Sequence, residues 1–324
     1  MTERARTVFL GSGAFAVPIL STLADHPSAE LAGVVTAPTR PGSRGRPTDP
    51  PVALWATERG LPMLRPERLR APGAVAEIRA LEPELLVLAD YGQIVPSSLL
   101  EVPRFGALNL HPSLLPRWRG ASPIPAAILA GDSETGVSLM VMDADLDTGP
   151  LVAERRVGLR GDETAPELED RLATMAAELL AESLGPWLGG ELEPRPQTDE
   201  GATLTRPLRR EDGRIDPSRG AAYLERQVRA FQPWPGSYFD TPTGRVIVWR
   251  ARAVEVAPSS AVGRLLEVGD GGLALATADG LLELLEVQPA GGRRMSGADL
   301  LRGRPALAGS AGIEPPPAGT AGSG

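Results

Sequence analysis

The segment "LNLHPSLLPRWRG" (residues 108–120) places an asparagine and a histidine two positions apart at the end of a predicted buried strand. The chain contains only two histidines, and His111 is one of them. Since alternate residues of a strand point to the same side of a sheet, we expect Asn109 and His111 to enter one cleft. An amide can stabilise a developing oxyanion, and an imidazole can carry a proton near neutral pH. The pair therefore suits catalysis at a carbonyl carbon.

Three acidic residues follow in "MDADLDTGP", and the last of them, Asp147, lies in an Asp-Thr-Gly turn after a predicted strand. A carboxylate beside an imidazole orients the ring and favours its charged form. The chain has no Gly-x-Ser-x-Gly elbow and no cysteine, and one histidine with one aspartate makes a poor metal site. These residues favour direct attack of an external nucleophile on a carbonyl. A core histidine beside an Asx turn explains them equally well.

A glycine-rich turn, "GSGAFA" (Gly11 to Ala16), follows the first predicted strand and matches a dinucleotide-binding fingerprint with alanine in its last glycine position. Dinucleotide-binding folds hold the ribose with an acidic residue at the end of the second strand. Here that strand ends at Val35-Thr36, and no acidic residue follows before Asp49. The motif therefore favours a tight strand-to-helix turn over nicotinamide binding.

Hydrophobic patterning predicts two domains. Strands alternate with helices through residues 1–190, and several strands are uniformly apolar, which is typical of a parallel sheet covered on both faces. A polar Pro/Gly-rich linker is predicted at 191–206, and short, evenly spaced strand-like runs follow at 207–306. The predicted fold class is α/β, a doubly wound, mostly parallel, Rossmann-like sheet with a smaller C-terminal OB-like β-barrel domain. Residues 307–324 have the composition of a disordered tail.

The composition excludes several kinds of chemistry. All 33 basic residues are arginine, so the chain offers neither a Schiff-base lysine nor a P-loop lysine. The absence of cysteine excludes disulfides and thiolate metal sites. No apolar run reaches membrane-spanning length, and no signal peptide is recognisable. We therefore expect a cytoplasmic, monomeric protein with no membrane partner.

The charge is unevenly distributed along the chain. A net charge of −8 argues at first against a nucleic-acid partner. Residues 206–310, however, carry 15 arginines against 12 acidic residues, whereas residues 1–205 carry 18 against 28. The C-terminal part is thus mildly basic within an acidic protein, which is compatible with salt-sensitive binding of nucleic acid.

"NLHPSLLPRWRGASPI", followed by "MDADLDTG", strongly resembles the folate-dependent formyltransferases, and "FLGSGAFAVPIL" and "ADYGQIVP" extend the resemblance. "RAFQPWPGSYF" and "LLEVQPAGGRRM" are most similar to the members of this family that act on methionyl initiator tRNA. The resemblance implies transfer of the formyl group of 10-formyltetrahydrofolate to the α-amino group of methionine on that tRNA. The alternatives are formylation of an amino sugar nucleotide, a purine precursor or another small amine, and a non-enzymatic folate- or tRNA-binding protein.

Residue by residue, the resemblance implies three groups of site residues and no metal. The catalytic residues are Asn109, His111 and Asp147. The folate-contacting residues are Ser113, Leu114, Leu115, Pro116, Tyr91, Gly92 and Ile94. The tRNA-contacting residues are Arg40, Arg44 and Arg46 in a loop at 36–50, with Arg206, Arg209, Arg210, Arg245 and Arg250. Arg214 and Arg293 are further candidate phosphate contacts of the C-terminal domain.

The chain departs from the family pattern at two places. Thr39 stands where the family commonly has aspartate before Arg-Pro, so the acidic residue of this loop is missing. Arg206 stands where the family usually has lysine before the second domain. Arginine keeps the charge but not the flexible ammonium group. Neither change affects the predicted catalytic residues.

Overall fold

The computed structural model describes residues 4–41, 47–256, 261–309 and 313. Its α-helices are α1 (Ala16–Asp25), α2 (Pro51–Glu58), α3 (Pro72–Arg79), α4 (Ser97–Leu100), α5 (Pro123–Ala130), α6 (Ala165–Leu188), α7 (Ala221–Ala230) and α8 (Gly297–Gly303). Its strands are β1 (Ala5–Gly11), β2 (Ala29–Val35), β3 (Arg40–Pro41), β4 (Pro47–Thr48), β5 (Met63–Leu64), β6 (Leu85–Ala89), β7 (Ala107–His111), β8 (Arg119–Gly120), β9 (Glu134–Val141), β10 (Leu151–Gly158), β11 (Leu204–Thr205), β12 (Ser237–Thr241), β13 (Gly244–Glu255), β14 (Leu265–Val268), β15 (Gly272–Ala276), β16 (Gly280–Pro289) and β17 (Met295–Ser296). None of the helices in these described ranges is both long and apolar enough to cross a membrane.

The chain divides into two compact units that interleave along the sequence. The described residues of the first unit fall within Met1–Pro123, Glu134–Gly158 and Leu168–Thr205, and those of the second within Ile124–Ser133, Leu159–Glu167 and Arg206–Gly324. Two segments of the predicted N-terminal domain thus group with the second unit. They do so because α7 holds them: Arg226 donates to the carbonyl of Leu129, and Arg229 donates to that of Glu163. The predicted linker at 191–206, in contrast, belongs almost entirely to the first unit.

The first unit is built on a seven-stranded sheet in the order β10-β9-β7-β6-β1-β2-β5. The five strands from β7 to β5 run parallel, and β9 and β10 continue the sheet antiparallel. All five residues of β6 are buried, so both faces of this central strand are covered. The predicted α/β class with a mostly parallel sheet is therefore confirmed.

The direction of winding reverses between β1 and β6. From β1 the chain moves to β2 and β5 on one side, and it then returns to form β6 and β7 on the other. Open α/β sheets bind ligands in the crevice outside the carboxyl ends of the strands at such a reversal. The glycine turn after β1, the segment after β6 and His111 at the end of β7 all lie at this edge of the sheet.

The second unit is built on a separate antiparallel sheet from the C-terminal part of the chain, as the predicted fold class requires. Its strands pair antiparallel in the order β12-β13-β16-β15-β14, and β17 pairs with β16. Helix α7 packs on β13, and α8 packs on β15 and β16. Among the described residues the hydrogen-bonded path stays open and does not close into a barrel. The core contains fully buried side chains from both the helices and the sheet, including Leu224 of α7, Phe239 of β12 and Leu282 of β16.

The ordered part of the second unit extends past residue 306, where the sequence predicts the start of a disordered tail. Leu307 and Ile313 are both buried in the C-terminal core. The backbone amide of Ile313 also donates to the carbonyl of Gly263. Low local hydropathy concealed these two apolar residues because each is surrounded by small and polar residues.

Candidate active site

Asn109 and His111 point to the same side of β7, as their spacing predicts, and both side chains meet Asp147. Register places Asn109 beside Leu88 of β6 and His111 beside Ser138 of β9. Nδ2 of Asn109 lies 3.5 Å from Oδ1 of Asp147, and Nδ1 of His111 lies 3.6 Å from Oδ2 of the same carboxylate. The three residues predicted as catalytic therefore form one cluster.

Asp147 is held in an uncommon backbone conformation. Its φ of 53° lies in the left-handed region, which costs free energy for a residue that is not glycine. Its carboxylate is about nine-tenths buried and accepts the backbone N–H of Gly120 at 2.7 Å. The turn thus presents a fixed carboxylate to β7.

The tautomer of His111 is fixed by the hydrogen bond of Nε2, the ring nitrogen that points away from Asp147. Nε2 lies 2.9 Å from the carbonyl oxygen of Trp118, which can only accept, so Nε2 carries a proton. Trp118 also has a left-handed φ, 60°, and its own N–H donates to Oγ1 of Thr203 at 2.8 Å. Nδ1 is therefore the ring nitrogen that faces Asp147.

The other two acidic residues of the same turn do not belong to the cluster. Asp143 accepts the hydroxyl of Thr148 and the backbone N–H of Asp145, so it shapes the turn. Asp145 is exposed. This arrangement selects Asp147 among the three carboxylates that the sequence offers.

The predicted folate-contacting turn after His111 is held by hydrogen bonds within the turn and to β9. The hydroxyl of Ser113 donates to the carbonyl of Arg117 at 2.7 Å, and the N–H of Leu115 donates to Oγ of Ser138 at 3.0 Å. The side chains of Ser113 and Leu115 are buried, whereas Leu114 and Pro116 are half-buried. The latter two side chains are the accessible part of this turn.

The predicted pocket segment after β6 combines backbone and apolar groups. Gly92 is exposed with a left-handed φ of 78°, and Ile94 is 59% exposed. Tyr91 is buried, its hydroxyl has no hydrogen-bond partner among the described residues, and burial raises its pKa to about 12. Ile94 is thus an exposed apolar side chain two residues from a left-handed glycine, at the carboxyl edge of the sheet.

Asp90 occupies the crevice between β6 and the glycine turn. A Cβ atom on Gly13 would overlap Oδ2 of Asp90, and the N–H groups of Ser12 and Gly13 both donate to the Asp90 carbonyl. Although the residue as a whole is exposed, its carboxyl group is buried against this turn. Burial, and to a smaller extent the charge of Glu169, raises the pKa of Asp90 to about 6. The glycines of "GSGAFA" thus serve close packing around Asp90, in agreement with the tight-turn interpretation.

The base of the arginine-rich loop is held by a carboxylate that comes from its far end. Asp49 accepts hydrogen bonds from the hydroxyl of Thr39 and from Nη1 of Arg65, and these lower the pKa of Asp49. Strands β3 and β4 pair across the loop, and Arg40 in β3 is exposed. Thr39, which stands at the position of the missing acidic residue, is therefore in direct contact with the carboxylate of Asp49. Arg44 and Arg46 lie outside the described residues.

The predicted tRNA-contacting arginines of the second unit differ in availability. Arg206 and Arg245 are each bound by two hydrogen bonds to a carboxylate, Asp212 and Asp240 respectively. Arg245 also lies over the ring of Tyr238 at 3.7 Å. Four others are exposed and form no ion pair with the described residues: Arg209, Arg210, Arg250 and Arg293. Arg214 is half-buried, and its Nε is buried without a hydrogen-bond partner among the described residues.

Several residues that support the cluster were not predicted from the sequence. Trp118 and Gln197 contact it through backbone carbonyls, and Thr203 binds the backbone N–H of Trp118; no residue pattern reveals such contacts. The polar composition of 191–206 indicates a linker because polar and glycine-rich segments usually connect domains. Within the described ranges, no group of three or more histidine, aspartate or glutamate residues is arranged to hold a metal ion.

The fold is that of a known class of protein. Residues 5–184 match a family model described as formyl transferase, and residues 207–305 match one described as formyl transferase, C-terminal domain. Because the first match alone covers more than half of the sequence, the chain belongs to the formyl transferase family. The resemblance predicted from the sequence motifs is confirmed.

Curated relatives carry a more specific name. A methionyl-tRNA formyltransferase of Halorhodospira halophila is 47% identical over 301 residues, which cover 93% of this chain and 96% of the relative. A methionyl-tRNA formyltransferase of Thermus thermophilus is 46% identical over 302 residues, which cover 92% of this chain and 96% of the relative. A third, from Myxococcus xanthus, is 44% identical and covers 95% of this chain and 98% of the relative.

Solved structures share the fold at low sequence identity. HypX of Aquifex aeolicus in complex with tetrahydrofolic acid superposes with a TM-score of 0.59 at 18% identity over 92% of this chain, and this chain spans 47% of that one. An N-formyltransferase of Helicobacter canadensis, solved with folinic acid and dTDP-3-aminofucose, gives a TM-score of 0.63 at 13% identity, covering 90% of this chain and all of that one. At these identities the likeness establishes the fold alone.

Replacing Asp90 with asparagine should stabilise the protein in a pH-dependent way. Since the pKa of Asp90 is raised on folding from 3.8 to about 6, the unfolded chain ionises first as pH rises, and the folded state loses stability between these values. Asp90→Asn removes this penalty. We expect a higher urea midpoint than wild type above pH 6 and an equal midpoint below 3.8.

The matched control is Glu77→Gln, which alters an exposed carboxyl group on α3. It should leave the urea midpoint unchanged on both sides of this pH range. A difference between Asp90→Asn and wild type that stayed constant across the range would contradict the assigned burial of the Asp90 carboxyl group.

Proposed function

We propose that this protein transfers the formyl group of 10-formyltetrahydrofolate to the α-amino group of methionine on methionyl initiator tRNA. The observation that carries the proposal is the convergence of Asn109, His111 and Asp147 at the carboxyl edge of the parallel sheet. Nearly full-length similarity to methionyl-tRNA formyltransferases supports the choice of donor and acceptor. The sugar-modifying alternative is supported only by distant likeness in fold.

The cluster supplies the groups that attack on a formyl carbon requires. 10-Formyltetrahydrofolate supplies the formyl carbon, whose bond to N10 breaks while a bond to the amino nitrogen forms. Nδ2 of Asn109 donates to the formyl oxygen as negative charge develops on it. Nδ1 of His111, when protonated, donates to the same oxygen, and its long 3.6 Å contact with Asp147 leaves it able to turn toward a ligand.

Asp147 manages the protons of the reaction. Oδ2 is occupied by the N–H of Gly120, whereas Oδ1 has only the 3.5 Å contact with Asn109. Oδ1 is therefore the oxygen that accepts a proton from the attacking amine. A proton returns to the nitrogen that leaves, so the transfer consumes and releases none overall.

The two substrates use different surfaces of the chain. Leu114, Pro116 and Ile94, with the backbone around Gly92, would contact the folate ring through apolar and amide groups. Arg40 and the exposed arginines Arg209, Arg210, Arg250 and Arg293 would contact tRNA phosphates, to which the guanidinium fork is suited. Arg206 and Arg245 would have to exchange their carboxylate partners first. The monomeric state and the cytoplasmic location stay predictions.

Single substitutions in the cluster should remove most of the activity. Asn109→Ala, His111→Ala and Asp147→Asn are each expected to lower kcat by about 100- to 10,000-fold, since each removes an oxyanion donor or a proton carrier. Rates are measured by formyl transfer at saturating substrates. Asp145→Asn alters an exposed carboxylate of the same turn and should match wild type. Wild-type rates for all three cluster variants would refute the mechanism even if the acceptor were correct.

The acceptor is tested by offering three amines in parallel. With 10-formyltetrahydrofolate as donor, we expect fast formylation of methionyl initiator tRNA, slow formylation of methionyl elongator tRNA, and none of an amino sugar nucleotide. Rapid formylation of the sugar nucleotide with neither tRNA modified would retain the catalytic centre and overturn the proposed substrate.

A further inference from the structure

Gln197 lies in the segment that follows α6 and reaches the back of the Asp147 turn. Its Nε2 donates to the carbonyl of Asp147 at 2.9 Å and to that of Gly149 at 2.7 Å. Its Oε1 accepts from Nε and Nη2 of Arg119, at 3.1 and 2.9 Å. A side-chain amide has two N–H donors and one oxygen with two lone pairs. All four are used, so this amide is fully bonded in a single orientation.

The two carbonyls that Gln197 binds define the path of the turn. One belongs to Asp147 itself, so the bond fixes the peptide that adjoins the strained residue. The other belongs to Gly149, where the backbone passes so close to the carbonyl of Val141 that a Cβ would overlap it. Because a left-handed φ persists only where its surroundings over-determine it, these bonds account for the conformation that directs the carboxylate toward β7.

Arg119 prevents the amide of Gln197 from turning over. The guanidinium group is buried and has only N–H donors, so it can donate to the oxygen of Gln197 but cannot accept from its NH2 group. Arg119 also forms an ion pair with Asp199 at 3.6 Å, but the side chain of Asp199 is almost fully exposed. The guanidinium therefore orients Gln197, and Gln197 orients the turn.

The same segment also supports the histidine of the cluster. Oγ1 of Thr203 accepts the N–H of Trp118, whose carbonyl accepts from Nε2 of His111. The segment 197–203 thus contacts Asp147 directly, through Gln197, and His111 through one intermediary, Trp118. This segment lies between the ranges matched by the two family models, 5–184 and 207–305.

We propose that Gln197 is a positioning residue for formyl transfer, which sets the direction of the Asp147 carboxylate without touching either substrate. The inference rests on the catalytic role of Asp147 given under the proposed function. It assigns to the predicted linker a part in catalysis. The polar composition of the segment then reflects its hydrogen bonds to the turn and to Arg119.

The test uses the isosteric substitution Gln197→Glu in the full-length chain. Glutamate keeps an oxygen for Arg119, and gains a charge-assisted hydrogen bond to it, so the variant should fold. It cannot donate to the carbonyls of Asp147 and Gly149. A misplacement of about 1 Å at a reacting group costs on the order of 100-fold. We expect kcat to fall by that order while KM for methionyl initiator tRNA and for the folate stays unchanged.

Thr198→Ala is the matched control, since Thr198 is exposed and accepts only the N–H of Glu200. It should leave kcat and KM at wild-type values. A second readout comes from the two histidines. In the proton NMR spectrum, Gln197→Glu should move the ring signal of His111, next to the turn, and leave that of His26 in place.

The outcomes distinguish the positioning role of Gln197 from the catalytic role of Asp147, on which it rests. A large loss with Asp147→Asn but a wild-type kcat with Gln197→Glu would overturn the positioning role and leave the catalytic assignment intact. A wild-type kcat with Asp147→Asn would overturn the catalytic assignment and the positioning role with it. A raised KM with unchanged kcat in Gln197→Glu would also overturn the proposal, because it would indicate substrate binding.

Discussion

The carboxylate of Asp147 is the interaction on which the rest of the site depends. Asn109, His111 and the backbone of Gly120 all meet it, and it is almost fully buried. A polar group that is buried in this way needs hydrogen-bond partners, and the backbone N–H of Gly120 provides one at 2.7 Å. The arrangement therefore constrains three segments of the chain at once, namely β7, the turn after β9 and the turn at β8.

The parallel sheet makes this convergence possible. Neighbouring parallel strands end at one edge, so the residues after β1, β6 and β7 share a crevice at the point where the winding reverses. The sheet alone does not fix the turns, however. Glycines at positions 13 and 149 allow backbone and side chains to approach more closely than any other residue would permit. The segment 195–205 then closes the back of the site through β11 and its hydrogen bonds to β8.

The sequence was informative where side-chain periodicity carries the signal. The two-residue spacing of Asn109 and His111 predicted their common direction, and uniformly apolar strands predicted the covered sheet. Choosing Asp147 among three aspartates needed the family resemblance, because strand periodicity does not extend into a turn. The roles of Gln197 and Trp118 could not be predicted, since they act through contacts between backbone carbonyls and residues far apart along the chain. The burial of Ile313 could not be predicted either, because a single apolar residue among small and polar residues shows no hydrophobic periodicity.

For the charged residues too, the sequence does not reveal which contacts form in the folded chain. Counting arginines identified a mildly basic half, but ion pairs within the chain decide which of them are available to a partner. Arg206 and Arg245 have carboxylates in bidentate contact, whereas Arg209 and Arg250 do not. Likewise, the sequence does not reveal that Thr39 bonds to the carboxylate of Asp49, ten positions later.

The central claim is that Asn109, His111 and Asp147 act as one unit, and a double-mutant cycle tests it most directly. Single-turnover formyl transfer is measured for His111→Ala, Asp147→Asn and the double variant. When two residues act together, the first substitution removes most of their joint contribution to the rate, and the second removes little more. We expect the double variant to be nearly as active as the slower single variant. Losses that multiply would show that His111 and Asp147 contribute independently and would contradict the account.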